Sequence, residues 1–274
     1  MSAAEALAKG DADLAATTLE AALRHGAFQG RPPKLVFAFT ATPPMALVTA
    51  NQPQPVIRQI EELAGKVVGI PAVGSSEAHL LFGLLARHRL SPAQVRVVSL
   101  GDRGVAQSLE RGEIQAGFLA EPWVSRLLAT GRFTLLADLR EASAAQAALG
   151  GPTVHAALFI RHDRAVSAHA RLVPLLNLLL RSVQSIAERT PEELATRLPS
   201  EVTGHREEFL LRAVTLKGVL LSDGIASEKA IQQSLQLLTG APPLPAKVKL
   251  PRRLSELLFL DPLRQALKNV KGEE

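Results

Sequence analysis

The apolar positions along the chain follow two alternating periods. Between residues 67 and 139, four short apolar runs (67–70, 95–100, 116–120 and 133–139) have the length and composition of buried strands. Between them lie stretches whose apolar residues recur three and four apart. In 76–89, Leu80, Leu81, Leu84 and Leu85 fall on one side; helices are also predicted over 101–110 and 122–130. Gly112 and Gly131 stop the last two, and Pro122 stands at a first helical position, where its missing N–H costs nothing. Strand–helix alternation with connections this short implies a parallel sheet with right-handed crossovers.

Upstream, the pattern predicts a helix over 3–9 ending at Gly10, a strand over 13–17, and a helix over 18–25 closing at Gly26. Strands follow over 35–40 and 46–50. Downstream, a strand over 154–160 gives way to helices over 168–190, 191–198, 205–216, 227–238 and 254–268, with a proline-punctuated extended segment over 240–251. Breakers cluster at 51–55 (NQPQP) and at 150–153. A middle α/β block therefore sits between an N-terminal part and a helical C-terminal part. The predicted organisation is two lobes, 1–52 with 153–274 and 53–152, joined by two crossover segments that form a hinge.

Composition narrows the function classes. With 47% hydrophobic residues among 274, a core is available and disorder is not expected. Without Cys this chain has no disulfide, thiolate metal site, Cys nucleophile or lipid-anchored Cys. The formal charge of +5 is scattered, aromatics are 4%, and there is no Tyr. Nucleic acid is therefore not an expected partner, since its groove wants clustered cations interleaved with stacking rings. The most apolar stretch, 172–180, is short and interrupted by Pro174 and Asn177, so no transmembrane helix is predicted. The start, Met1-Ser2-Ala3-Ala4-Glu5, runs into a helical pattern without a basic segment or long apolar run, so no signal peptide is predicted either.

The candidate chemistry centres on the turn after the strand over 67–70. Gly74, Ser75 and Ser76 lead into the helix carrying His79. Free backbone N–H groups at a helix start, with serine hydroxyls beside them, suit a carboxylate, sulfonate or phosphate; an ordinary serine cap reads the same way. In a parallel sheet, the turns at 101–103 and 121–123 share that edge, where ligands bind. Arg103 is then a partner for an anionic group or a solvated helix start. Glu121 orients a polar ligand part or uses the helix start, and Trp123 is a platform or packing. Thr17, Thr18, Thr40 and Thr42 end strands of the first lobe and are candidates for the opposite wall, or turn closers. His155, His162 and His169 recur every seven residues, but a strand becomes a helix between them, so no shared face and no metal site are expected. The chain lacks the G-x-S-x-G and phosphate-loop motifs, and no catalytic residue or cofactor is expected.

Leu63, Gly65-Lys66, Gly74-Ser75-Ser76, His79, Leu90-Ser91-Pro92, Leu109, Gly112, Ile114, Ala116 and Glu121-Pro122 stand in an order and spacing that resembles solute-binding proteins of nitrate/sulfonate/taurine ABC importers. The group also includes pyrimidine-precursor binders. The likeness is good over 60–140 and weaker over Gly10–Thr18 and the C-terminal helices. It implies a periplasmic-binding-protein-like type II fold, two α/β lobes with a small anionic or heterocyclic solute between them. It further implies delivery to a membrane permease with its ATPase, no enzymatic activity, a monomer and a periplasmic location. Two departures accompany it. Gln115 stands where the family often has Asp, and the family's opening strand, helix and strand are missing before Ala6, so a truncated first lobe is expected. The alternative is a cytosolic enzyme of thiamine-pyrimidine or related small-metabolite synthesis on the same fold.

Overall fold

In this computed structural model, which describes residues 1–52, 56–239 and 250–272, the chain begins α1 (Ala3–Lys9), β1 (Leu14–Thr18), α2 (Leu19–His25), β2 (Lys34–Ala38) and β3 (Met45–Ala50). The middle runs β4 (Val67–Ile70), α3 (Ser76–Arg87), β5 (Arg96–Ser99), α4 (Gly101–Glu110), β6 (Ala116–Ala120), α5 (Trp123–Ala129), β7 (Phe133–Asp138) and α6 (Ala142–Leu149). After β8 (Ala156–Ile160) come α7 (His169–Glu188), α8 (Pro191–Arg197), α9 (Ser200–Thr203), α10 (Arg206–Val219), α11 (Glu228–Thr239), α12 (Leu254–Leu257) and α13 (Asp261–Lys271).

Two sheets result. A three-stranded antiparallel sheet has the order β1-β8-β2, and a five-stranded sheet has the order β5-β4-β6-β3-β7. In the larger sheet β4 pairs in parallel with β5 and β6, whereas β3 lies antiparallel between β6 and β7. The expected all-parallel sheet is therefore corrected to a mixed one. An apolar run reports burial on two faces but not direction or neighbour. The sheet membership of β3 also moves the first crossing. The sequence reading puts it at 51–55, yet β3 already pairs in the five-stranded sheet, so the chain crosses between Ala38 and Met45. Residues 53–55 and 240–249 of the expected linker and extended segment lie outside the described residues.

The larger sheet is covered on both faces. Leu81, Leu84 and Leu85 of α3 pack with Phe118 and Leu47 on one side. Val105 and Leu109 of α4 and Val124 and Leu127 of α5 pack with Ala46, Val48 and Leu119 on the other. The smaller sheet has the same two-sided cover, from α2 and α11 on one face and from α7 and α13 on the other. Helix α6 has no counterpart in the sequence reading. Its alanines blur the apolar stripe, and only Ala145 and Leu149 are buried. The expected helix over 254–268 is split into α12 and α13, and Pro262 stands in the first turn of α13.

The two crossing segments are bonded to each other. Thr40 Oγ1 accepts from the Ala156 N–H at 3.0 Å, the Thr40 carbonyl accepts from the His155 N–H at 3.0 Å, and the Thr153 hydroxyl donates to the Ala41 carbonyl at 2.9 Å. The chain thus leaves and re-enters the smaller sheet side by side.

Helix α4 approaches the larger sheet through two side-chain gaps, at Gly69 of β4 and Gly117 of β6. A Cβ on Gly117 would stand 2.6 Å from Val105 Cγ1 and 2.9 Å from Leu109 Cδ1. Gly117→Val is expected to lower stability by about 1–3 kcal/mol, read as a lower urea midpoint. Adding Val105→Ala, which vacates the space, is expected to recover part of that loss.

Candidate functional site

The C-terminal ends of β5, β4 and β6 lie along one edge, as parallel neighbours must, but the turns beyond them do not meet in one site. Helix α3 packs on one face of the sheet, whereas α4 and α5 pack on the other. That division separates the candidates. Ser76 and His79 line a cavity with Thr18 and Glu20 from the smaller-sheet side. Arg103 and Trp123 line a different depression on the α4/α5 face, beside Arg126 and Glu208.

Gly74 sits at φ +85, a left-handed conformation that a Cβ would strain, and this lets the turn reverse into α3. Ser75 is the N-cap, its hydroxyl accepting from the Ala78 N–H at 3.3 Å, so it closes the helix rather than facing the cavity. Ser76 and His79, one turn apart, point across the gap. The Ser76 hydroxyl reaches Thr18 Oγ1 at 3.5 Å, and Arg24 Nη2 donates to His79 Nδ1 at 3.3 Å. With Nδ1 accepting, the His79 proton resides on Nε2, which is buried and without a hydrogen-bond partner among the described residues. Thr18 caps α2, and Arg24 and Glu20 of that helix form a buried ion pair.

The cavity has a volume of about 40 Å³, space for roughly three water-sized groups. Pro43 and Thr153 of the crossing segments, His155, and Ser234 of α11 contribute further walls. Burial disfavours charge on three of its titratable groups, Glu20, His79 and His155. Burial pushes the Glu20 carboxyl up, opposed by Arg24. Burial, then the Arg24 charge, push His79 down to about 4, against the weaker pull of the Leu237 carbonyl. Burial alone pushes His155 down to about 4. At neutral pH the site is a nearly apolar pocket with two neutral imidazoles, hydroxyl groups and one internal ion pair.

The remaining candidates fall elsewhere. Thr17 sits opposite Ala157 in the β1–β8 register, next to the cavity wall without lining it. Thr40 is buried and bonded within the crossing. Thr42 is 1% exposed, its hydroxyl without a hydrogen-bond partner among the described residues. Glu121 is engaged by its own chain. It accepts from Arg140 Nη1 at 2.6 Å, from the Ser125 hydroxyl at 2.9 Å and from the Thr215 hydroxyl of α10 at 3.4 Å. Trp123 carries the Arg126 guanidinium over its ring, 5.2 Å from the centroid, and Arg126 pairs with Glu208 of α10. Of the three spaced histidines, His155 reaches the cavity, His162 lies past the opposite end of β8, and His169 meets Phe259 edge-on. No group of metal-ligating side chains occurs among the described residues. Sequence reading passes over Glu20, Arg24 and Ser234. A Glu–Arg pair four apart in a helix that opens at Thr18 was the available signal.

His79 gives the site a pH signature. Its folded pKa of about 4 lies below its ordinary 6.5, so the unfolded chain takes up the proton first. The stabilisation is complete above pH 6.5 and is lost as pH falls toward 4, by about 3 kcal/mol. Urea midpoints measured across that window are expected to drop with acidity. The drop should be shallower in His79→Gln, with the residue of the effect left by His155.

A family model described as "NMT1/THI5 like" matches residues 1–193. No curated protein matches the sequence. Among solved structures, one from Bordetella bronchiseptica RB50 superposes with a TM-score of 0.77 at 21% identity, covering 97% of this chain and 83% of that one. A putative periplasmic sulfonate-binding protein SsuA of a sulfonate ABC transporter from Methylobacillus flagellatus KT gives 0.73 at 17% identity, with 98% and 79% covered. The desulfurization enzyme DSZB gives 0.62 at 15% identity, with 94% and 85% covered. These similarities establish a periplasmic-binding-protein-like type II fold. With some seven-tenths of its length matched by the family model, the chain belongs to the NMT1/THI5-like family.

Proposed function

We propose that the chain is the solute-binding component of an ABC importer, closing two lobes on a small anionic or heterocyclic molecule. The lobes are the halves built on the two sheets, and the hinge is the bonded pair of crossing segments. One observation carries this reading: the cavity at the junction takes its polar groups from both halves, Ser76 and His79 from one and Thr18, Glu20 and His155 from the other. A ligand touching both sides favours the closed state by its extra contacts there. The printed description of the Methylobacillus flagellatus protein, sulfonate binding for a transporter, supports the same class. So does the N-terminal turn of the twelve-residue α3, which offers N–H groups beside the Ser76 hydroxyl. Partners would then be a permease and its ATPase, and the location periplasmic. No helix among the described residues is long and apolar enough to cross a membrane.

The cavity's small volume admits a head group such as a sulfonate, carboxylate or ring edge in the closed state, and larger tails would require the lobes to part. Its internal charges cancel between Glu20 and Arg24, so an anion would be held by N–H and O–H donors rather than by a free cation. An enzymatic reading draws on the same groups, since a raised carboxyl beside two neutral imidazoles is an acid–base set. The DSZB likeness keeps that reading open.

Thermal unfolding with methanesulfonate, taurine, nitrate, acetate and 4-aminopyrimidine is expected to show stabilisation by at least one of them. The gain is about 2.7 kcal/mol at a hundredfold excess over Kd. Ser76→Ala is expected to weaken that ligand about tenfold. No stabilisation by any member of the panel, or chemical turnover of the bound molecule, overturns the binding-protein reading.

A further inference from the structure

A second concavity lies at the opposite end of the smaller sheet from the cavity above. Lys34 opens β2 and is the register partner of Ile160, the last residue of β8. The segments beyond that pair, 28–33 and 161–163, therefore leave the sheet next to one another. The first is held by a tight reversal: Phe28 and Arg31 exchange both backbone hydrogen bonds at 3.0 Å, with Gln29 and Gly30 at positive φ. That turn fixes where Arg31 stands. On the second segment, Arg161 lies over the Phe28 ring, 4.0 Å from its centroid, and is satisfied by Asp163 through two hydrogen bonds of 2.9 and 2.7 Å. His162 and Phe28 meet at 6.0 Å between ring centroids. Leu250, Arg252 and Glu256 close the far side, giving a concavity of about 600 Å³.

The charges there do not cancel. Among the described residues, Arg31, Lys34 and Arg252 face the space with Glu256 the only acid lining it, a balance of +2 once Arg161 is assigned to Asp163. Lys34 Nζ is anchored by donating to the Ser255 carbonyl at 2.6 Å, which holds it in place. Burial pushes its ammonium down, Arg31 adding to this against Glu256. Burial and the charges of Arg31, Lys34 and Arg161 likewise push His162 down, against Asp163. His162 Nδ1 is buried and has no hydrogen-bond partner among the described residues. A lysine and a histidine each made less willing to carry charge by their neighbours both gain from an anion placed among them.

We propose that this concavity is a second ligand site, one for a small soluble polyanion of the phosphate type. Guanidinium groups on two sides suit the several oxygens of a phosphate, and an anion of two or more charges matches the +2 balance where a monoanion leaves it half unmet. The volume admits inorganic pyrophosphate or a phosphorylated small molecule. Among the described residues the site shares no lining residue with the interlobe cavity, so it stands or falls independently of the solute-binding reading.

The test is calorimetric titration of inorganic pyrophosphate into the full chain at low ionic strength, with carbon-detected histidine ring spectra alongside. One-to-one binding is expected, with the His162 resonance, assigned through His162→Gln, moving while those of His79 and His155 stay. Arg31→Ala and Arg252→Ala, both at exposed positions, are expected to weaken binding about tenfold each, and Arg31→Lys to retain most of it. Methanesulfonate at equal concentration should not move His162. Absence of heat and of any His162 shift up to about 10 mM overturns the proposal, since that is weaker than any useful site. Unchanged affinity in the double alanine variant with its melting intact, or a shift at His79 in place of His162, overturns it equally. Binding only to vesicles of anionic phospholipid, without pyrophosphate binding, assigns the patch to a membrane surface and also overturns it.

Discussion

The insertion of β3 into the larger sheet is the constraint on which the rest of the structure depends. This strand arrives directly from the smaller sheet, yet it lies between β6 and β7 with five register pairs to each. Without it the larger sheet splits into two pieces with raw edges. The two halves are consequently parts of one chain path that cannot be taken apart at a linker. Because the returning segment at 153–156 is hydrogen-bonded to the outgoing one at 40–41, the halves are joined by a narrow two-stranded connection.

That connection also decides where the cavity lies. Pro43, Thr153 and His155 belong to the crossing segments or their ends, and they wall the same space as Ser76 and His79. Among the described residues the polar contacts across the gap include Ser76 to Thr18, Arg24 to His79, and the Gln233 amide of α11 donating to the Leu149 carbonyl at 2.6 Å. The first two are weak on their own, because a hydroxyl pair at 3.5 Å and a neutral imidazole acceptor return little beyond what water would supply. On the other sheet face the halves also meet, through Glu121 with Thr215 and Arg126 with Glu208. On both sides of the crossing segments the two halves are thus joined by a small set of polar contacts, together with Leu237 of α11 packed against the core beneath α3.

Electrostatically, the interlobe cavity and the far concavity are opposites. In the cavity the cation is matched within its own helix, Glu20 to Arg24, and burial keeps the imidazoles neutral. In the concavity the cations come from separate segments brought side by side by strand register, and among the described residues one acid opposes three of them. Scattered along the string, those residues look like ordinary solvated charge. The net charge of +5 therefore says little until its positions in space are known.

Most of the element plan was legible in the sequence. Apolar periodicity located the strands β4 to β8 and the helices α3 to α5 within a few residues; burial on both faces imposes it directly on β4, β6 and β8, while the edge strands β5 and β7 show it through β-branched and apolar composition. The turn at Gly74 to Ser76 was legible for the same reason, a glycine in a left-handed position followed by a serine cap. Helix α6 was not, since alanine is a good helix former that leaves no stripe to read. Partners and faces were also beyond reach. An apolar strand does not announce whether its neighbours run with or against it, so β3 was placed with the wrong sheet. Likewise, three turns on one sheet edge look equivalent along the string. Only the packing of α3 on one face and of α4 and α5 on the other parts Ser76 and His79 from Arg103 and Trp123. The sequence by itself determined which segments are buried and where they stop, because local propensity and solvent exclusion act residue by residue. The tertiary structure alone decided strand order, where the chain crosses between the sheets and the company each polar group keeps, because those depend on contacts between residues far apart in the chain.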